Sequence, residues 1–168
     1  MARAGVLGAI VIVALLLQAT LLELIRFSVK PDLVLILVIF FALINGSRPG
    51  MILAAAAGLL IDLLWGRFLG INILTLTITA FLVGYLENKV FKDNLLVPIL
   101  VVFCGSVLHA GLMLMFQELA GVHLPLSAGV RTGLLEAAYN ALLAPLFYKL
   151  FYRSSTSGVL QGFKRGGL

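Results

Sequence analysis

The stretch LLVPILVVFCGSVLHAGLMLMF, residues 95–116, runs for 22 residues without a charged side chain. As a helix rising about 1.5 Å per residue it reaches about 33 Å, enough to cross the roughly 30 Å hydrocarbon core of a bilayer. A crossing segment has no water to bond its amides, so it must satisfy them internally as a helix. The rest of the chain has the same character. Of its 168 residues 62% are hydrophobic and 11% charged, with a mean hydropathy of +1.16, whereas a soluble domain carries about 25% charged residues.

Working outward from this run, charges and turn residues set off five more apolar runs, at about 5–22, 33–44, 51–65, 71–86 and 130–151. The fold expected is all-α: a polytopic membrane protein with six transmembrane helices in residues 1–153. The runs at 33–44 and 51–65 are short, and must borrow interfacial residues, thin the bilayer or stop partway across. The connections at 45–50, 66–70, 87–94 and 120–128 carry turn chemistry and are too brief to fold separately. The first run is longer than a signal-peptide core and lacks an A-x-A site, so a retained helix is expected there. Residues 154–168, rich in Gly and Ser with Lys164 and Arg165, read as a mobile basic tail.

The net charge of +5 would suggest nucleic acid in a soluble protein. Here the cations sit between apolar runs, and lipid phosphate is the fitting counterion. With the amino terminus inside, eight of the twelve cations fall on the cytoplasmic side (Arg3, Arg48, Lys89, Lys92, Lys149, Arg153, Lys164, Arg165), against Arg26, Lys30, Arg67 and Arg131 outside. The positive-inside rule therefore places both termini in the cytoplasm of a multi-pass membrane protein.

Polar residues within apolar runs are the candidates for function. Asp62 is costly at mid-membrane, so it must lie near an end, by Arg67, or find a partner on another helix or protein; an ion relay is the remaining reading. Thr132, Glu136 and Asn140 recur every four residues and share a face. They suit interhelical hydrogen bonds or a partner contact, with a transport site behind both. Pro145 should kink the same helix and free a carbonyl near Ala141. Asn72, Thr75 and Thr79 form a second stripe, expected to pack. Gly50, Ala54 and Gly58 offer a flat surface for close helix approach, within the chain or to a partner.

Catalysis finds little support. Ser106 and His109 lie three apart but no motif supplies an orienter or an oxyanion pocket. His109, His123 and Cys104 lack metal-ligand spacing, a lone cysteine forms no intramolecular disulfide, and no glycine-rich turn matches a nucleotide-binding pattern. No cofactor is expected.

Three segments together carry a family resemblance. Pro31-Asp32-Leu33-Val34-Leu35-Ile36-Leu37, then Gly58-Leu59-Leu60-Ile61-Asp62-Leu63-Leu64 with Gly70-Ile71-Asn72, and the closing Tyr139-Asn140-Ala141-Leu142-Leu143-Ala144-Pro145-Leu146-Phe147-Tyr148 resemble the bacterial rod shape-determining protein MreD family. The resemblance implies a non-enzymatic scaffold of the elongation machinery that builds lateral peptidoglycan. It implies MreC as direct partner and, indirectly, MreB, RodA and a class B penicillin-binding protein. The small residues of the third run, Ala54 and Gly58, would receive the single transmembrane helix of MreC; Asp32, Asp62, Glu136 and Asn140 would hold the bundle or the partner in register. The same resemblance extends to the six-helix substrate-binding subunits of energy-coupling-factor vitamin transporters. That is the rival reading, with a pocket opening outward near Asp62, Asn72 and Glu136.

Overall fold

A computed structural model of the chain describes residues 11–18, 29–64, 69–86, 96–123 and 125–157, together with Gly8 and Thr20. Among them every regular element is a helix: α1 (11–18), α2 (Leu33–Asn45), α3 (Ser47–Leu64), α4 (Ile71–Tyr85), α5 (Leu96–Leu119) and α6 (Leu126–Ser157).

Helix α2 is apolar on every side, and such a helix belongs in the middle of a bundle. Every residue from Val34 to Ile44 is buried. Helices α3, α4, α5 and α6 all pack on α2, and α1 adds Val11, Ala14 and Leu15, one face of its helix, to the same core. At 13 residues, α2 rises only about 20 Å. Its shortness is tolerable because protein, not lipid, surrounds it. The remaining helices pair most extensively as α3 on α4 and α5 on α6.

The surface has the inverse pattern of a soluble domain. Ile52, Leu63, Leu64, Leu100, Leu142 and Leu146 are exposed while Asp62, Thr75, Thr79, Ser106, His109 and Asn140 are buried. Leucines outside and polar groups inside fit a lipid environment, where hydrogen-bonding groups find partners only within the protein. Helices α3 and α5 are long and apolar enough to cross a membrane; α2 and α4 are apolar but shorter.

For the five runs whose ends are described, the expected boundaries agree with the helices to within about six residues, with departures at the turn before α3 and at both ends of α6. The turn expected over 45–50 shrinks to Gly46, because α3 starts at Ser47. Gly46 has φ 90° and ψ 176°, a region open essentially to glycine, and its N–H bonds the Ala42 carbonyl at 2.8 Å. Pro49 falls in the first turn of α3, where no intrahelical N–H is needed, so it starts the helix instead of breaking it. At the other end, α6 begins at Leu126, ahead of the expected 130, and continues to Ser157, into the segment read as a tail. It runs through Pro145, whose missing N–H leaves the Ala141 carbonyl without its i+4 donor. The ends of the first apolar run, the cations Arg3, Arg26, Arg67, Lys89 and Lys92, and the tail from 158 lie outside the described residues.

Candidate functional site

Asp32, Asp62 and Asn72 lie at the end of the bundle where α2 and α4 begin and α3 ends, and Ser106, His109 and Asn140 stand within α5 and α6. Helix α4 starts at Gly70, with φ 108° and no capping side chain of its own. The cap comes from the preceding helix. Asp62, 2% exposed, accepts through Oδ2 from the Gly70 N–H at 2.8 Å and the Ile73 N–H at 3.3 Å, and through Oδ1 from the Asn72 N–H at 3.3 Å and Asn72 Nδ2 at 2.7 Å. A carboxylate at a helix amino terminus satisfies orphan donors and complements the helix dipole.

One turn earlier on α3, Gly58 lies against the same turn of α4. A Cβ there would stand 2.6 Å from Ile73 Cα and 2.7 Å from Ile73 N. The Gly58-to-Asp62 spacing thus forms a cradle: glycine admits the α4 backbone and aspartate binds its end. Gly50 does the same for α2, with a hypothetical Cβ 2.6 Å from Ala42 Cβ, and Ala54 between them is wholly buried. The row Gly50–Ala54–Gly58 is therefore occupied within the chain.

A second joint starts α2. Asp32 caps it, accepting from the Leu35 N–H at 3.0 Å, and Gln18 of α1 accepts from the Val34 N–H at 3.4 Å. Asn140 of α6, with no exposed surface, accepts from the Asp32 N–H at 2.9 Å and donates to Ser106 Oγ of α5 at 3.0 Å. One amide thereby ties three helices. Asn140→Leu leaves the Asp32 N–H without its acceptor, a loss of about 1–3 kcal/mol. Ser106→Ala, a single interhelical contact, should lose only about 0.6. Thermal unfolding of the detergent-solubilised protein measures both, and equal melting temperatures for the two variants would contradict this geometry.

The expected polar stripes divide. Thr75 and Thr79 donate to the Ile71 and Thr75 carbonyls at 2.9 and 2.8 Å, which lets their face be buried. On α6, Asn140 enters the joint, exposed Thr132 donates to the Ala128 carbonyl at 2.9 Å, and half-buried Glu136 has no hydrogen bond or ion pair among the described residues. Ser106 is engaged by Asn140 rather than by His109, whose Nδ1 is buried without a partner. His123 pairs instead with Glu118 at 2.7 Å on the surface. Between α2, α4, α5 and α6 lies a cavity of about 480 Å³ that Asp32, Asn72, His109 and Glu136 help to line. Gln18 and Ser106 are the residues that sequence reasoning left out of the α2 joint; a glutamine at the end of an apolar run was their one available signal.

Asp32, Gly58, Asp62, Asn72 and Asn140, which form most of the cradle and the α2 joint, come from the three segments that carried the family resemblance. The family model for rod shape-determining protein MreD matches residues 2–154. The chain belongs to the MreD family. The match includes all six helices apart from the last residues of α6, and with them every joint described above. MreD membership implies a role in rod-shape determination, in a family of membrane-associated shape proteins. Comparison with curated proteins gives no match, and comparison with solved structures gives none.

Proposed function

We propose that this MreD-family chain is a non-enzymatic membrane subunit of the rod complex that binds MreC and helps organise lateral peptidoglycan synthesis. The observation that carries the reading is the family match over 2–154. The apolar exterior supports it, because lateral association in lipid is the work such a surface performs. The helices α1 to α6 would cross the cytoplasmic membrane six times, with both termini inside. The distribution of eight cations against four supports that orientation. MreC's transmembrane helix would dock on an outward-facing apolar surface, since the small-residue row of α3 is filled by α2 and α4. MreB, RodA and a class B penicillin-binding protein would be reached through that complex.

Depletion in a rod-shaped host is expected to round the cells, and detergent-solubilised protein is expected to co-purify with MreC. Unchanged rods that acquire a nutrient requirement would instead support a substrate-binding transporter subunit.

A further inference from the structure

The cavity beside the α2 and α4 joints has the size of a small-molecule site, about 480 Å³ against a usual range of roughly 300–1,000 Å³. Its walls are polar for a bundle embedded in lipid. Asp32 and Glu136 place two carboxylates on it, Asn72, Gln117 and Thr132 add amide and hydroxyl groups, and His109 closes one side.

Much of this hydrogen-bonding capacity is unspent. Asp32 uses Oδ1 for its cap, and no donor among the described residues reaches Oδ2. Glu136 has no hydrogen bond there at all. His109 is an independent sign: only 5% of its surface is exposed, it lines the cavity, and its buried Nδ1 has no partner. A buried ring nitrogen without a partner is costly, and a bound molecule would satisfy it. Among the described residues no three His, Cys, Asp or Glu side chains are grouped closely enough to hold a metal ion.

The charges indicate its sign. Among the described residues two carboxylates line the space and one cation, exposed Lys30, joins them. Two half-buried carboxylates on one cavity favour a donor-rich positive partner. We propose that the cavity binds a small organic cation, a protonated primary amine that lies between Asp32 and Glu136 and hydrogen-bonds His109 Nδ1. The cavity lies where α2, α4 and α6 begin, so in the proposed orientation the amine enters from outside the cell. That last point rests on the proposed topology; the binding itself does not.

The test uses the purified full chain in detergent, with ethanolamine, putrescine and lysine as probes and ethylene glycol and butane-1,4-diol as neutral controls. At least one amine should raise the melting temperature saturably, with no effect from the diols. Glu136→Gln replaces the carboxyl group of a side chain that has no partner among the described residues, and should weaken that amine's binding at least tenfold. Asp32→Asn keeps a capping side chain and should weaken it as well. Absence of saturable stabilisation by every amine would overturn the proposal. So would equal stabilisation by the diols, binding unchanged in both variants, or stabilisation by lysine-containing peptides alone, which would give the cavity to a partner's side chain. None of these readouts involves MreC, so failure here is distinguishable from failure of the scaffold reading.

Discussion

Asp62→Leu is expected to destabilise the bundle by about 3–5 kcal/mol, the largest effect of any single substitution at the joints. The leucine leaves four donors without their acceptor, the N–H groups of Gly70, Asn72 and Ile73 and the Asn72 amide. A buried unsatisfied donor costs about 1–3 kcal/mol, and partial rearrangement of the first α4 turn reduces the sum. Asp62→Asn keeps one oxygen but turns an amino group toward N–H donors, so it should fall between wild type and Asp62→Leu. Thermal unfolding in detergent gives the ranking, and hydrogen exchange at 71–74 should rise in the same order. A leucine variant as stable as wild type, with a protected α4 amino end, would show that the carboxylate is not what holds the two helices together.

The second large effect is expected at Gly58. In Gly58→Leu the Cβ alone would stand 2.6 to 2.8 Å from backbone atoms of Asn72 and Ile73, and backbone cannot rotate out of the way as a side chain can. Helices α3 and α4 must separate, at a cost of about 1–3 kcal/mol or more. Separation also draws Asp62 away from the donors it serves. The two substitutions should therefore be non-additive: Gly58→Leu combined with Asp62→Leu should destabilise by less than the sum of the separate effects. A double-mutant cycle on melting data measures this, and strict additivity would mean that glycine and aspartate act independently.

The sequence made the helices legible because apolar runs between charges are the strongest signal a membrane protein offers. The runs 33–44, 71–86 and 95–116 nearly coincide with α2, α4 and α5. What periodicity could not give was which side of a small-residue row faces which neighbour. Gly50, Ala54 and Gly58 read equally well as an internal seam or an outward dock, and only the positions of Ala42 and Ile73 decide between them. Asp62 posed the same problem. Its cost in lipid demanded a partner, but the partner is backbone, the unsatisfied amino end of α4, and backbone donors leave no trace in residue identity. Pro49 misled for a related reason: proline ends a helix interior yet suits a first turn, and the letter alone does not say which position it holds. Glu136 was visible as part of a stripe with Thr132 and Asn140, but its role separates from Asn140's only in three dimensions, where one enters a joint and the other faces open space.

The two joints differ in when they can close. Asp62 binds donors 8 to 11 residues downstream, so that latch can form as soon as the next helix leaves the translocation machinery. The Asp32 N–H must wait for Asn140, 108 residues later, by which time nearly the whole polypeptide has been synthesised. During that interval the Asp32 N–H at the amino end of α2 has not yet gained its acceptor. Chains that lack the final helix would be left open at that point, so the last helix to be made is the one that completes the first joint of the bundle.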